Sequence, residues 1–202
     1  MKTITYILIF ILSTSFVNQP NNNDKTIIIS PKSELNIVGS SNVSDFQCLF
    51  EFQNRSQALP VNFEETKGEI HFNRATLVLK NSNFDCGGRA INKDFHALLK
   101  TEKHPQIFLS LKKIKRKPNT KNVVEALVEI KIAGKSKHYT LNAKVNQKDE
   151  LNILGNLKLN INDFNLEAPK KMMGLIVVSE KIEINFNLVI EEKNSYLANY
   201  LK

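Results

Sequence analysis

The chain reads as all-β: a single antiparallel barrel of about eight strands, with one short α-helix capping an end. Three observations lead there. Apolar residues recur at every second position along most of the sequence, as in strands with one dry and one wet face. One strand breaks that phase: Ile70 and Phe72 share a face, then Ala75, Leu77 and Leu79 do, with Asn73-Arg74 between. An odd step of this kind is what a β-bulge produces, and bulges bend strands enough to close a sheet. Finally, a single amphipathic helix interrupts the strands near the middle of the chain.

From the N-terminus, Met1-Lys2 supplies a positive start, and residues 4–16 form an apolar run too short to cross a bilayer comfortably. Ser13 and Ser15 place small residues at −3 and −1 of a cleavage after Ser15, so residues 1–15 read as a secretory signal peptide. Residues 16–32, Asn-rich around Pro20, read as a flexible leader. Residues 33–192 read as one barrel domain and 193–202 as a C-terminal tail. Within the domain, Phe46, Cys48, Phe50 and Phe52 share one strand face. Val128, Ile130 and Ile132 alternate with Glu129 and Lys131; Leu157, Leu159 and Ile161 alternate with Lys158 and Asn160. Ile182, Ile184, Phe186, Leu188 and Ile190 form the cleanest run. Turn signals at Gly39-Ser40-Ser41-Asn42, Asn81-Ser82-Asn83, Pro118-Asn119-Thr120 and Gly134-Lys135-Ser136 separate the strands.

The helix is expected over residues 92–100. Ile91, Phe95, Leu98 and Leu99 fall on one face, and Pro105 follows. Asp94 is placed in its first turn, where a carboxylate suits the helix dipole.

The net charge of +8 is spread thinly. Its one dense run, Lys112, Lys113, Lys115, Arg116 and Lys117, lacks the interleaved aromatics of a nucleic-acid surface and reads as a solvated hairpin end. Cys48 and Cys86 are an even pair in an exported chain and are expected to form a disulfide tying the start of the helix to the barrel wall. No GxSxG elbow, phosphate-cradling loop or HExxH is present. His71, His96, His104 and His138 never fall at metal-ligand spacing, and Asp163 reads as a turn residue. Neither a cofactor nor a metal is expected, and the chain does not read as an enzyme.

The dry faces are expected to point inward. Aliphatics dominate them without the aromatic girdles of a membrane barrel, and the helix breaks the hairpin rhythm. The connection from Asp163 to Gly174 is too long for a hairpin. It carries Phe164, Leu166, Met172 and Met173 beside Lys170 and Lys171, and reads first as a loop tacked down on the core, with irregular apolar contact near an anionic head group as the alternative.

Together these residues resemble the YceI-like family of exported lipid- or polyisoprenoid-binding proteins. Ser41-Asn42-Val43-Ser44-Asp45-Phe46 is similar to the family's first-strand signature with one extra residue. Asn92-Lys93-Asp94-Phe95-His96-Ala97-Leu98-Leu99 followed by Pro105-Gln106-Ile107-Phe108-Leu109 resembles its helix and next strand, with the helix arginine replaced. Ile130 to Lys137 with its Gly134 turn, and Asp163-Phe164 through Pro169 and Gly174 to Phe186, are also similar. The chain has no tryptophan where the family usually opens with one. The resemblance implies an extended lipocalin-like barrel enclosing an isoprenoid or other amphiphile.

Three readings follow. The first is a periplasmic, non-catalytic carrier of a lipid or polyisoprenoid. Its lumen walls would be Phe46, Phe50, Phe52, Phe72 and Leu77, with Leu109, Ile130, Leu159, Ile184 and Phe186 opposite. Phe95, Leu98 and Leu99 would cover the mouth, and Lys170 or Lys171 would meet a polar head. The second is an envelope structural or interaction protein whose barrel is filled by the same phenylalanines. The third is an enzyme whose site assembles only in three dimensions. Cavity volume separates the first two.

Overall fold

A computed structural model describes residues 23–52, 56–147, 150–171 and 175–191, with Asn23, Lys170 and Lys171 described by their backbone alone. The expected signal peptide and the tail lie outside the described residues. Before the helix come β1 (Asn23–Ile29), β2 (Glu34–Ser40), β3 (Asp45–Phe50), β4 (Gln57–Thr66), β5 (Glu69–Lys80) and β6 (Phe84–Asp85). After α1 (Arg89–Leu98) come β7 (Gln106–Arg116), β8 (Val123–Ile132), β9 (Lys135–Gln147) and β10 (Leu151–Asn160). The last connection holds β11 (Lys170–Lys171) and β12 (Ile176–Val177), and β13 (Lys181–Glu191) completes the wall.

These strands form a closed, eight-stranded antiparallel barrel. Three of its staves are interrupted midway. β1 and β2 run on along β13, which pairs Ile29 with its Ile190 and Asn36 with its Asn185. β4 lies against β1 (Ile29↔Gln57) and β3 against β2 (Asn36↔Leu49), while β5 and β6 flank β4 and β3 in turn. Neighbouring staves are therefore neighbours in sequence, an up-and-down meander that closes on itself where β1 and β2 meet β13. Where β1 passes into β2 the ladder is interrupted, and the buried Ser33 repairs it. Its hydroxyl accepts from the Val189 N–H (2.9 Å) and donates to the Val189 carbonyl (3.3 Å).

β1 starts at Asn23, inside the stretch 16–32 expected as leader. Its continuous Ile27-Ile28-Ile29 run hides the period of two, so the pattern is visible only once β4 is seen beside it.

The phase break in β5 is a bulge. Asn62 pairs with Arg74 and Phe63 with Phe72, leaving Asn73 without an opposite residue. Asn73 instead donates to Asn62 Oδ1 (3.0 Å), and Asn62 donates to Asp24 (3.0 Å), which satisfies a carboxamide buried at 8% exposure. Further register shifts in β5–β7 and β7–β8 add to the curvature. The basic run on β7 is interleaved with carboxylates: Lys112 with Glu129 (3.5 Å), Lys113 with Glu69 (3.1 Å) and Lys115 with Glu125 (2.9 Å).

The helix begins three residues before the expected start, so Asp94 sits in its middle rather than its first turn. Gly88 occupies the N-cap without a side-chain acceptor, and Asn92, inside the helix, ties down the segment that leads into it. Its Oδ1 accepts from the Cys86 N–H (2.7 Å), and its Nδ2 donates to Asp85 (2.9 Å), which also accepts from the Gly87 N–H (3.0 Å). Lys100, at φ 53°, turns the chain out of the helix before Pro105.

Candidate functional site

The inside of the barrel has two parts. Beneath the helix, at the end shared with the 41–44 and 133–134 turns, the interior is solid. Phe50 stacks edge-on with Phe52 (4.9 Å) and Phe84 (5.0 Å), and Phe84 meets Phe95 of α1 (5.2 Å). Ile91, Phe95 and Leu98 pack half-buried on this plug, and Leu99 is fully buried in it. Cys48 and Cys86, one step beyond the Leu49↔Asp85 pair, are joined by a disulfide that ties β3 to the start of the helix.

Above the plug lies a cavity of about 200 Å³. Every stave contributes to its wall, and every lining residue is Ile, Leu, Val, Ala or Phe. The alternation explains this purity, because closing the barrel turns all the dry faces to one axis. At the far end, beside the bulge, Phe63 packs against the cavity-lining Phe72 with ring centroids 5.9 Å apart, and Phe63 and Ile70 are each at most 1% exposed. The cavity is larger than the ~150 Å³ apolar void that stays dry and admits benzene, and on that scale it has room for about eight carbons.

Six expected wall residues line it: Phe72, Leu77, Leu109, Ile130, Ile184 and Phe186. Phe50 and Phe52 belong to the aromatic plug instead, and Leu159 is buried outside the cavity wall. Phe46 lies against the backbone of its partner Gly39, where its ring fills the place of a side chain. Phe95, Leu98 and Leu99 cover the plug, so the helix caps the barrel without touching the cavity. The side chains of Lys170 and Lys171 are outside the described ones. Ile27, Ile29, Leu59 and Val61 line the cavity although no expectation rested on them. Leu59-Pro60-Val61 carries the same period of two and was the signal that could have found the latter pair.

Among the described residues no polar side chain lines the cavity. Tyr139 donates to Asp163 (2.8 Å), and burial first, then this bond, pushes its phenol far above the usual range. His71 lies by Glu69 and His138 by Glu129, each at 3.3 Å. Among the described residues no group of three or more His, Cys, Asp or Glu converges to hold a metal, and no helix is long and apolar enough to cross a membrane.

The YceI-like domain model matches residues 36–190, which is most of the chain. Comparison with curated proteins returned no match. Among solved structures, Burkholderia cenocepacia BcnA is similar at TM-score 0.61 and 20% identity, covering 78% of this chain and 96% of its own. A polyisoprenoid binding domain from Saccharophagus degradans, implicated in plant cell wall breakdown, is similar at TM-score 0.58 and 18% identity, covering 82% and 97%. A Campylobacter jejuni YceI protein aligns at TM-score 0.52 and 19% identity over 66% of this chain and 81% of its own. The chain belongs to the YceI-like family.

Proposed function

We propose that this member of the YceI-like family is a non-catalytic carrier that holds the apolar chain of a lipid or polyisoprenoid-type amphiphile in its barrel, in the periplasm. The observation that carries this reading is the cavity wall, built from hydrocarbon side chains alone. Such a wall offers nothing to a nucleophile, a proton or a metal, and everything to methyl and methylene groups. A polyisoprenoid binding domain among the similar structures supports the ligand class. The disulfide suits an oxidising compartment, and the apolar N-terminal run with Ser13 and Ser15 supports export with cleavage after Ser15.

About eight buried carbons at ~0.8 kcal/mol each contribute roughly 6 kcal/mol before ordering costs. That corresponds to an affinity of tens of micromolar at best. Tighter binding therefore requires more of the ligand to be in contact than the cavity alone encloses. Native mass spectrometry of protein gently purified from its own envelope should show a co-purifying apolar molecule, and prenyl or fatty-acyl probes should bind. Protein that carries nothing and binds no probe above background would leave the rival reading, an envelope structural or interaction protein with no ligand.

A further inference from the structure

We propose that the amphiphile enters and leaves through the side of the barrel, between β9 and β10. Phe186 would be the moving part, and an outer groove beside Lys144 would seat an acceptor-bearing polar head. The inference rests on the lumen-binding reading above and adds a route and a head-group site to it.

The wall is thinnest there. β9 and β10 share five residue pairs, from Leu151↔Gln147 to Gly155↔Ala143, whereas β8–β9 and β10–β13 each share ten. Beyond Gly155 the two strands part. The next described link runs from β9 to the turn that follows β10, the Tyr139 hydroxyl on Asp163, with the Tyr139 and Phe164 rings 6.2 Å apart. What lies behind the parting is a side chain, not a hydrogen-bonded ladder. Gly155 has no Cβ, and one placed there would lie 2.5 Å from Phe186 Cζ, so the Phe186 ring occupies that space. Phe186 and Ala143 line the cavity, and both also line a groove on the outer surface. The Phe186 ring, lying over Gly155 where the paired stretch ends, thus borders the lumen at the point where the β9–β10 ladder stops.

The alternative routes are more obstructed. The helix end is closed by four stacked phenylalanines and a disulfide, and the far end holds the buried Phe63 and Ile70. Rotating one half-buried ring disturbs less packing than opening either end. The cavity's size points the same way: a tail longer than about eight carbons must protrude somewhere. The outer groove is suited to what protrudes. Asn142, Lys144, Asn156 and Asn185 rim it beside Leu154 and Val123, so an alkyl stem and a carboxylate or carbonyl head both find matching surface.

Stopped-flow binding of a fluorescent long-chain fatty acid tests the route. Lys144 and Leu154 are directly opposite across the last paired stretch above the parting. Passage past the Phe186 ring requires the strands to spread at Gly155, so a Lys144→Cys/Leu154→Cys staple, oxidised against reduced so that both states lack the lysine, should slow association and dissociation about tenfold. Unchanged rates in the oxidised staple would overturn the side route and leave the lumen reading intact. If the staple does not fold, Phe186→Ala carries the test: both rates should rise, and equal rates overturn the proposal. No binding by the unaltered protein would instead defeat the lumen reading itself, so the two failures are distinguishable.

Discussion

The helix-capped end and the lumen above it are built from the same alternating strands, yet one is solid and the other hollow. The difference lies in which side chains the dry faces carry. Phe50 meets Phe52 and Phe84 edge to face and Phe95 tilts against Phe84, which fills space and favours one arrangement. Above them the wall is aliphatic, and Ala75, Ala126 and Ala143 sit where a larger residue would fill the axis. A closed barrel fixes the diameter, so residue size at inward positions decides whether the axis is occupied. The two rival readings of the sequence, a filled barrel and a hollow one, thus each describe one part of the molecule.

The largest expected effect falls on the solid end. Replacing both Cys48 and Cys86 by Ala releases a cross-link spanning 38 residues. In the chain-entropy account this costs about 4 kcal/mol. Urea unfolding of the double variant should show that loss in the midpoint, while probe affinity in the folded protein stays near the parental value. A loss of affinity equal to the loss of stability would mean that plug and lumen are one cooperative unit, and the contrast drawn above would fail.

A pair of tryptophan substitutions sharpens the comparison at smaller cost. Ile184 lines the cavity, whereas Leu159, 5% exposed, is packed outside its wall. Leu159→Trp should overpack and destabilise by about 1–3 kcal/mol. Ile184→Trp has empty space to enter, so it should change stability by less than about 1 kcal/mol and abolish probe binding. Equal destabilisation by both, measured by denaturant titration, would argue that the lumen is closed by relaxation in solution.

How much of this was legible follows the same division. The barrel, the bulge at Asn73 and the disulfide could be read because each leaves a local mark: a period, a broken period, an even cysteine count. Six cavity residues could be read because inward-facing parity is a property of one strand. Assigning Phe50 and Phe52 to the plug, and Leu159 to a place outside the cavity wall, instead needs their height along the axis, which depends on stagger between staves and on the helix seated below. The gap between β9 and β10 left only a faint local mark, Leu154-Gly155 breaking the alternation of β10 where the pairing ends, and the pairing register is what shows the strands part. Strand β1 was hidden for a different reason: three consecutive isoleucines obscure a period of two.

The smallest effect separates the regions by pH. Hydrogen bonds from Asn92 and from the Gly87 N–H hold the Asp85 carboxyl below the usual carboxylate range. A carboxyl depressed on folding contributes stability above its unfolded pKa, and that contribution disappears as pH falls through the folded value. The clasp at the start of the helix should therefore loosen only in acid. The lumen, walled by hydrocarbon, has nothing to titrate. Thermal midpoints of the parent and of Asp85→Asn should differ slightly at neutral pH and converge below the ordinary carboxylate range. Over the same range, affinity for an uncharged long-chain alcohol probe should stay flat for as long as the barrel remains folded. A gap in midpoints that is independent of pH would show that Asp85 acts through shape rather than charge. An affinity that fell in step with its titration would show that the state of the helix reaches the cavity.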